Sequence, residues 1–379
     1  LITPEALVER FIPFAGLKYS TEAFIDYCIP ASTPKYNYAL IGPGVSQNPN
    51  QPVSLREPHG FQVGGVSMPH GKTNPAHMHF TCEVFICTRG DWRIEWGFNP
   101  TVTSAPIGEG DLVSVPTWIY RGFTNIGVDD GFMFTALGGD NTGGILWGPS
   151  TLEAAAAQGV QLTDGYRIVD SRRGDRMGPD ERPVQPMTAE EIAQLKPWSV
   201  AEMARRIVRF ADLPWSSRAL LDASLPGCGA ELAPAIGLGI TQDRDQLAPV
   251  QNPHGLSIEW LRIPPGGQVS RHLMQEKQVL IVKEGAIDVT VETTAGPVTR
   301  RAMGQDKAWD TYSLPHQCWR TLQNPGHTPA LAVLMTAGDH RKRIEWDADV
   351  AARAAADRGW SIDANGYVAE KRFVERAQR

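Results

Sequence analysis

Three residues in one short stretch of the chain are chemically suggestive: His77, His79 and Glu83. On a β-strand successive side chains alternate between faces, so His77 and His79 emerge on the same side. Glu83 lies four residues further and keeps the same parity, so a regular strand or a tight hairpin brings all three together. Two imidazoles and one carboxylate form the facial triad that suits non-haem Fe(II), and Mn, Zn and Ni take similar ligand sets. Three protein ligands leave up to three open positions on an octahedral ion, enough for a bidentate substrate together with O₂. The same count also serves redox-neutral Lewis-acid chemistry.

The elements that must position this triad are legible from an internal repeat at a spacing near 196 residues. Phe14-Ala15 and Leu17 recur as Phe210-Ala211 and Leu213, Pro58-His59-Gly60 as Pro253-His254-Gly255, and His77 and Gly90 as His272 and Gly285. Pro116, Arg121 and Asn125 recur as Pro315, Arg320 and Asn324, and Trp147 as Trp346. The chain therefore reads as two copies of one unit, 1–170 and 199–379, joined by a charged, Pro- and Gly-rich linker over 171–198. Short runs rich in β-branched and aromatic residues, such as those beginning at Glu83 and Gln278, end at a glycine and predict strands. Each copy opens with a helix: Thr3-Pro4 marks the first, and a capping box of Ser199 with Glu202 marks the second. Each closes with an Ala-rich helix, 151–158 and 350–358, followed by Gly159 or Gly359. Ser150 with Glu153 reads as another capping box.

From Gly71 through His77, His79 and Glu83 to Gly90, the segment resembles the first cupin motif at every position. The stretch Gly110 to Asn125, with Pro116 between, resembles the second. The resemblance covers both halves of the chain. It implies an all-β dominated fold, two tandem jelly-roll-type cupin barrels with a few flanking helices. This sequence departs from the family at Arg121, which stands where a third metal-binding histidine is usual. In the second copy only His272 survives: Met274 and Gln278 replace the other two ligands, and Arg320 repeats the arginine. Neutral Met and Gln are poor ligands for a hard divalent ion, so the second barrel is expected to be metal-free. His70 and His316 are expected to be loop histidines.

The run Trp92-Arg-Ile-Glu-Trp-Gly and the segment from Pro116 to Asn125 are similar to the bicupin ring-cleaving dioxygenases related to the hydroquinone dioxygenase large subunit. That resemblance implies an Fe(II) enzyme that binds a phenolic or enolisable molecule with O₂ and cleaves a C–C bond. Two other readings stand beside it: a redox-neutral isomerase, lyase or decarboxylase of a small organic acid, and a cupin that binds a small molecule without chemistry. Arg121, aimed at the metal cavity, is expected to orient or charge-stabilise an anionic substrate, or else to pair with Glu83. Phe85, Trp118, Tyr120 and Phe123 are the expected substrate wall.

Composition narrows the partners. With 42% hydrophobic and 21% charged residues the chain can bury real cores, and a formal charge of −6 offers no basic stripe for nucleic acid. No stretch reaches the roughly 18 apolar residues of a membrane span. The five cysteines show no paired spacing, so neither a disulfide framework nor a zinc-thiolate site is expected, and a cytoplasmic protein is the default. Barrels of this size are often closed by a partner's N-terminal segment, so a homo-oligomer is expected.

Overall fold

The computed structural model describes residues 1–98, 102–305 and 308–377. They form two compact units, one of residues Lys18–Ala211 and one of Leu1–Leu17 with Asp212–Arg379.

The first unit is built from β1 (Tyr36–Ile41), β2 (Phe61–Met68), β3 (Thr73–His79), β4 (Glu83–Arg89), β5 (Trp92–Trp96), β6 (Leu112–Val115), β7 (Arg121–Asn125), β8 (Gly131–Gly138) and β9 (Ile145–Trp147). One sheet has the order β6-β4-β8-β2-β1, and the other β9-β3-β7-β5 followed by the strand Thr103–Ile107. Between them lies a core that draws on both, with Phe85 and Val113 from one sheet and Trp92, Ile94 and Phe123 from the other. An edge-to-face contact at 5.1 Å between Phe85 and Phe123 bridges the two layers, and Trp92 packs on Phe123 at 5.8 Å within one of them. Gly71 and Gly90 bracket the two central strands with φ of 75° and 85°, a backbone region that costs glycine nothing and other residues more.

The second unit repeats the plan with β10 (Leu256–Ile263), β11 (Gln268–Met274), β12 (Gln278–Thr293), β13 (Thr311–Leu314), β14 (Arg320–Gln323), β15 (Ala330–Ala337) and β16 (Ile344–Trp346). Its core holds Leu261, Leu280 and Leu334 on the inward faces of β10, β12 and β15. The all-β dominated class and the few flanking helices match the expectation.

Packing divides the chain differently from the repeat. The short strand Phe11–Ile12 pairs with β13, and the Phe14 backbone N–H donates to Asp310 at 2.9 Å, so the leading segment of the first copy completes the second barrel. The leading segment of the second copy does the converse. Ile207–Val208 pairs with β6, and the Phe210 N–H donates to Asp111 at 3.0 Å. Each barrel thereby covers an edge strand that would otherwise offer unpaired backbone groups. The boundaries 1–170 and 199–379 mark the duplication, whereas the compact units exchange their first segments. The stretch 171–198 is more than a solvated joint: the Trp96 indole donates to the Trp198 carbonyl at 3.0 Å.

The helix Val200–Ala204 carries the capping box of Ser199 and Glu202, and Pro4–Val8 is capped by Thr3. The helix expected from Ser150 starts earlier, at Pro149, with Gly148 as its cap and no side-chain cap bond. Proline at the first helical position needs no N–H partner and displaces the serine from the capping place. All five cysteines are thiols. Among the described residues no helix is long and apolar enough to cross a membrane.

In the second barrel Glu259 is fully buried and accepts the backbone N–H groups of Ile240 and Thr241 at 2.9 and 3.2 Å. Burial pushes its carboxyl up from 4.5 to about 7, against the pull of those N–H groups and of Lys342. A folded-state pKa above the unfolded one stabilises fully below the unfolded value, and the contribution is lost as pH rises through about 7. Thermal unfolding of the wild type across pH 5 to 8 is therefore expected to weaken by about 3 kcal/mol relative to Glu259→Gln, which stays neutral throughout. Parallel profiles for the two proteins would contradict this.

Candidate metal centre

His77 and His79 stand on β3, and Glu83 opens β4, which belongs to the facing sheet. The three-residue connection 80–82 carries the chain from one sheet to the other. It converts a common strand parity into convergence from two sides. One potential ligand atom from each residue lies within 4.8 Å of the others, and all three residues are buried. His79 Nε2 is 3.3 Å from Glu83 Oε2. With metal–ligand bonds of about 2.1 Å, neighbouring ligand atoms sit roughly 3.0 Å apart on an octahedron and 3.4 Å on a tetrahedron. That contact is therefore already at coordination distance.

The second layer prepares the ligands. His77 Nδ1 lies 2.8 Å from the Pro75 carbonyl, which fixes the ring and leaves Nε2 for a metal. Trp147 packs on the His77 ring at 5.5 Å. Burial, then the charges of His79 and Arg121, hold the His77 imidazole well below its ordinary pKa, so it is neutral at pH 7 as a ligand must be. Burial by itself raises the Glu83 carboxyl, but His79 and Arg121 outweigh it, and the net shift is downward. Glu83 is an anion there, and its Oε2 has no hydrogen-bond partner among the described residues. A buried, ionised oxygen without a hydrogen-bond partner, beside the His79 imidazole and within 4.8 Å of a His77 ring nitrogen, fits a cation.

Arg121 is directly opposite His77 in the β7–β3 register, so both side chains emerge on the inner face. It is 1% exposed. Its Nη2 donates to the Pro116 carbonyl at 2.7 Å, and its Nε is 3.9 Å from Glu83 Oε2. The contact with Glu83, one of the two roles expected from sequence, is present at long range. Arg121 is not among the residues that line the cavity over the triad.

That cavity, of about 80 Å³, is lined by His77, His79, Glu83, Phe85 and Phe123 together with Phe24, Tyr38, Trp147 and Gln62. Phe85 and Phe123 are thus where the sequence placed them. Trp118 and Tyr120 are not: both face a separate groove with Phe98, Ile119 and Trp198. Trp118 adopts φ 59° and is 49% exposed, stacked edge-on against Phe80 at 5.2 Å. The break in extended backbone at residues 117–120 ends the strand parity on which the expectation rested. Trp118→Ala is accordingly expected to leave metal content unchanged and stability within about 0.5 kcal/mol, whereas Phe123→Ala opens the core and costs about 3–4 kcal/mol. Unfolding midpoints of the metal-free variants test this, and equal losses would refute it.

Sequence reading missed a buried ion pair behind the site. Lys35 Nζ contacts Asp26 at 2.6 Å and Asn74 Oδ1 at 2.5 Å, and the Asn74 amide lies 3.2 Å from His77 Nδ1. Asp26 recurs as Asp222, but Lys35 has no counterpart in the repeat, so nothing in the pattern marked it. His70 hydrogen-bonds the Gly127 carbonyl and His316 is exposed; both are loop histidines, outside the cluster.

Two tandem barrels of one plan, the first with the His77, His79 and Glu83 cluster and the second with no such cluster among the described residues, give this chain the fold of a bicupin. Solved structures agree on the fold. An oxalate decarboxylase from Lactobacillus farciminis in complex with formate matches at 13% identity with a TM-score of 0.51, covering 87% of this chain and 86% of that one. An oxalate decarboxylase from Bacillus subtilis, solved in work on its Mn(II) centres, matches at 13% identity and TM-score 0.50, covering 87% and 78%. The 7S globulin of Momordica charantia matches at 11% identity and TM-score 0.53, covering 89% and 86%. No protein-family model matches the chain, and no curated protein matches its sequence.

Proposed function

We propose that the first barrel is the centre of a metal-dependent, redox-neutral enzyme, a lyase or decarboxylase, acting on a small organic acid. The observation that carries this is the convergence of His77, His79 and Glu83 at the floor of a small, largely apolar cavity, with the Arg121 cation behind Glu83. A divalent ion there supplies a Lewis acid that polarises a carboxylate or enolate oxygen. The protein's own groups do the rest. Two neutral imidazoles and one carboxylate leave the loaded site net positive, and Arg121 adds a further charge, so an anionic head group is favoured over a neutral one. Phe24, Phe85, Phe123 and Trp147 exclude water around it and shape the space for its apolar part. The reaction class is lent by the oxalate decarboxylases that share the fold, and Mn becomes the first choice of metal on the same ground, with Fe(II), Zn and Ni after it.

The aromatic lining favours a second reading, the Fe(II) dioxygenase of a phenolic or enolisable molecule. One experiment separates the two. Protein loaded with Mn(II) or Fe(II) is offered a panel of small carboxylic acids and phenols in closed vessels, with and without O₂, and CO₂ release and O₂ uptake are followed. The proposal expects turnover of an acid with Mn(II) at the same rate without O₂. Turnover that requires Fe(II) and consumes one O₂ per product would replace it with the second reading.

A further inference from the structure

The second barrel repeats the arginine of the first but has no acid at the place of Glu83. Arg320 stands opposite His272 in the β14–β11 register, as Arg121 stands opposite His77, and Trp346 completes the same row beside His272. Where Glu83 faces Arg121, the repeat has Gln278, whose amide donates to Thr336 Oγ1 at 3.0 Å. Arg320 is 1% exposed, and its Nε, Nη1 and Nη2 all lack a hydrogen-bond partner among the described residues. Arg121 keeps one such bond, to Pro116. His272 offers no countercharge. Burial and then the Arg320 cation push it down to about 3, so it is neutral at pH 7.

A buried guanidinium with no hydrogen-bond acceptor, offset only by the longer-range charge of Glu276, is a costly arrangement for a core. Its surroundings are polar in the right sense. Ser257, Thr336 and Gln278 lie side by side across β10, β15 and β12, so all three side chains share the inward face. Ser257 Oγ is fully buried and also has no partner among the described residues. At the matching places the first barrel has Gln62, Leu137 and Glu83. At this place the second barrel has a neutral Gln278 where the first has Glu83, and the charge of Glu276, in the turn before β12, reaches Arg320 without a hydrogen bond to it among the described residues.

We propose that the second barrel binds a small monovalent anion against Arg320, with a one- or two-carbon carboxylate preferred to a halide. The preference follows from shape: the planar fork of the guanidinium matches two carboxylate oxygens and gives a spherical ion no such match. The site is independent of the metal centre and of the function proposed for it.

The test is thermal unfolding of the full-length, metal-free protein, whose first barrel has no loaded ion to draw the anion, against sodium formate or sodium chloride, with ionic strength held constant by gluconate. An anion that binds only the folded protein raises the midpoint in proportion to the logarithm of its concentration above Kd. The wild type is expected to show a rise of several degrees that sets in at lower formate than chloride concentration. Arg320→Gln is expected to abolish the response. Gln278→Glu, which restores the acid of the first barrel, should abolish it too and exceed the midpoint of the anion-free wild type. Should Arg320→Gln fail to fold, Gln278→Glu decides alone. His77→Ala is expected to retain the response. A midpoint that ignores both anions, a response that survives in Gln278→Glu, or one that disappears in His77→Ala would overturn the assignment, the last by placing the anion at the first barrel.

Discussion

His79→Ala is expected to reduce bound metal from one ion per chain to a few per cent of that, and His77→Ala to do the same, while His272→Ala leaves the content unchanged. The asymmetry follows from what each imidazole faces. His79 Nε2 stands 3.3 Å from an ionised carboxylate oxygen, and His77 presents Nε2 because its Nδ1 is held by the Pro75 carbonyl. Loss of either leaves two protein ligands, too few to compete with water for a divalent ion at micromolar concentrations. His272 is built in the same way, with Nδ1 2.8 Å from the Ser270 carbonyl, but its would-be co-ligands are a thioether and an amide. Any activity of the wild type should fall with the metal, by about three orders of magnitude or more. Elemental analysis of the three variants after identical loading and gel filtration checks the claim. Metal lost from the His272 variant alone would refute it.

Glu83→Gln is expected to have the second-largest effect, because it strikes two balances at once. It removes the one anionic ligand, so metal affinity should drop more than about 100-fold. It also reproduces in the first barrel the pairing of Gln278 with Arg320, leaving Arg121 buried without an acid. Removing one partner of a buried pair costs about 3 kcal/mol, or roughly 6–12 °C in the unfolding midpoint of the metal-free protein. If Arg121 is the source of that cost, the double variant Glu83→Gln with Arg121→Met regains most of it without regaining metal. A single variant as stable as wild type would show that the 3.9 Å contact contributes nothing.

The convergence of His77, His79 and Glu83 was readable in the sequence because strand parity holds over residues 77–79 and the connection 80–82 is short, although it crosses to the facing sheet and does not close a hairpin. The duplication was readable because its landmarks are glycine, proline and histidine, which turns and tight packing constrain strongly. The exchange of leading segments was not, since a two-residue strand such as Ile207–Val208 pairs with whichever edge lies near, and repeat symmetry does not say which copy that is. Trp118 and Tyr120 failed as wall residues for a local reason. Trp118 enters the left-handed region at φ 59°, and one such residue rotates everything that parity would predict on either side. Lys35 and Asp26 went unseen because a buried ion pair leaves no periodic trace; only packing shows that both are less than 3% exposed.

The position of a bound ion tests the account most directly. Crystals grown from Mn(II)-loaded protein, measured at the Mn absorption edge, should show one anomalous peak per chain, about 2.1–2.2 Å from His77 Nε2, His79 Nε2 and a Glu83 carboxylate oxygen. No peak at those three atoms after loading, or a peak at His272 instead, would contradict the central claim that this barrel is a metal centre.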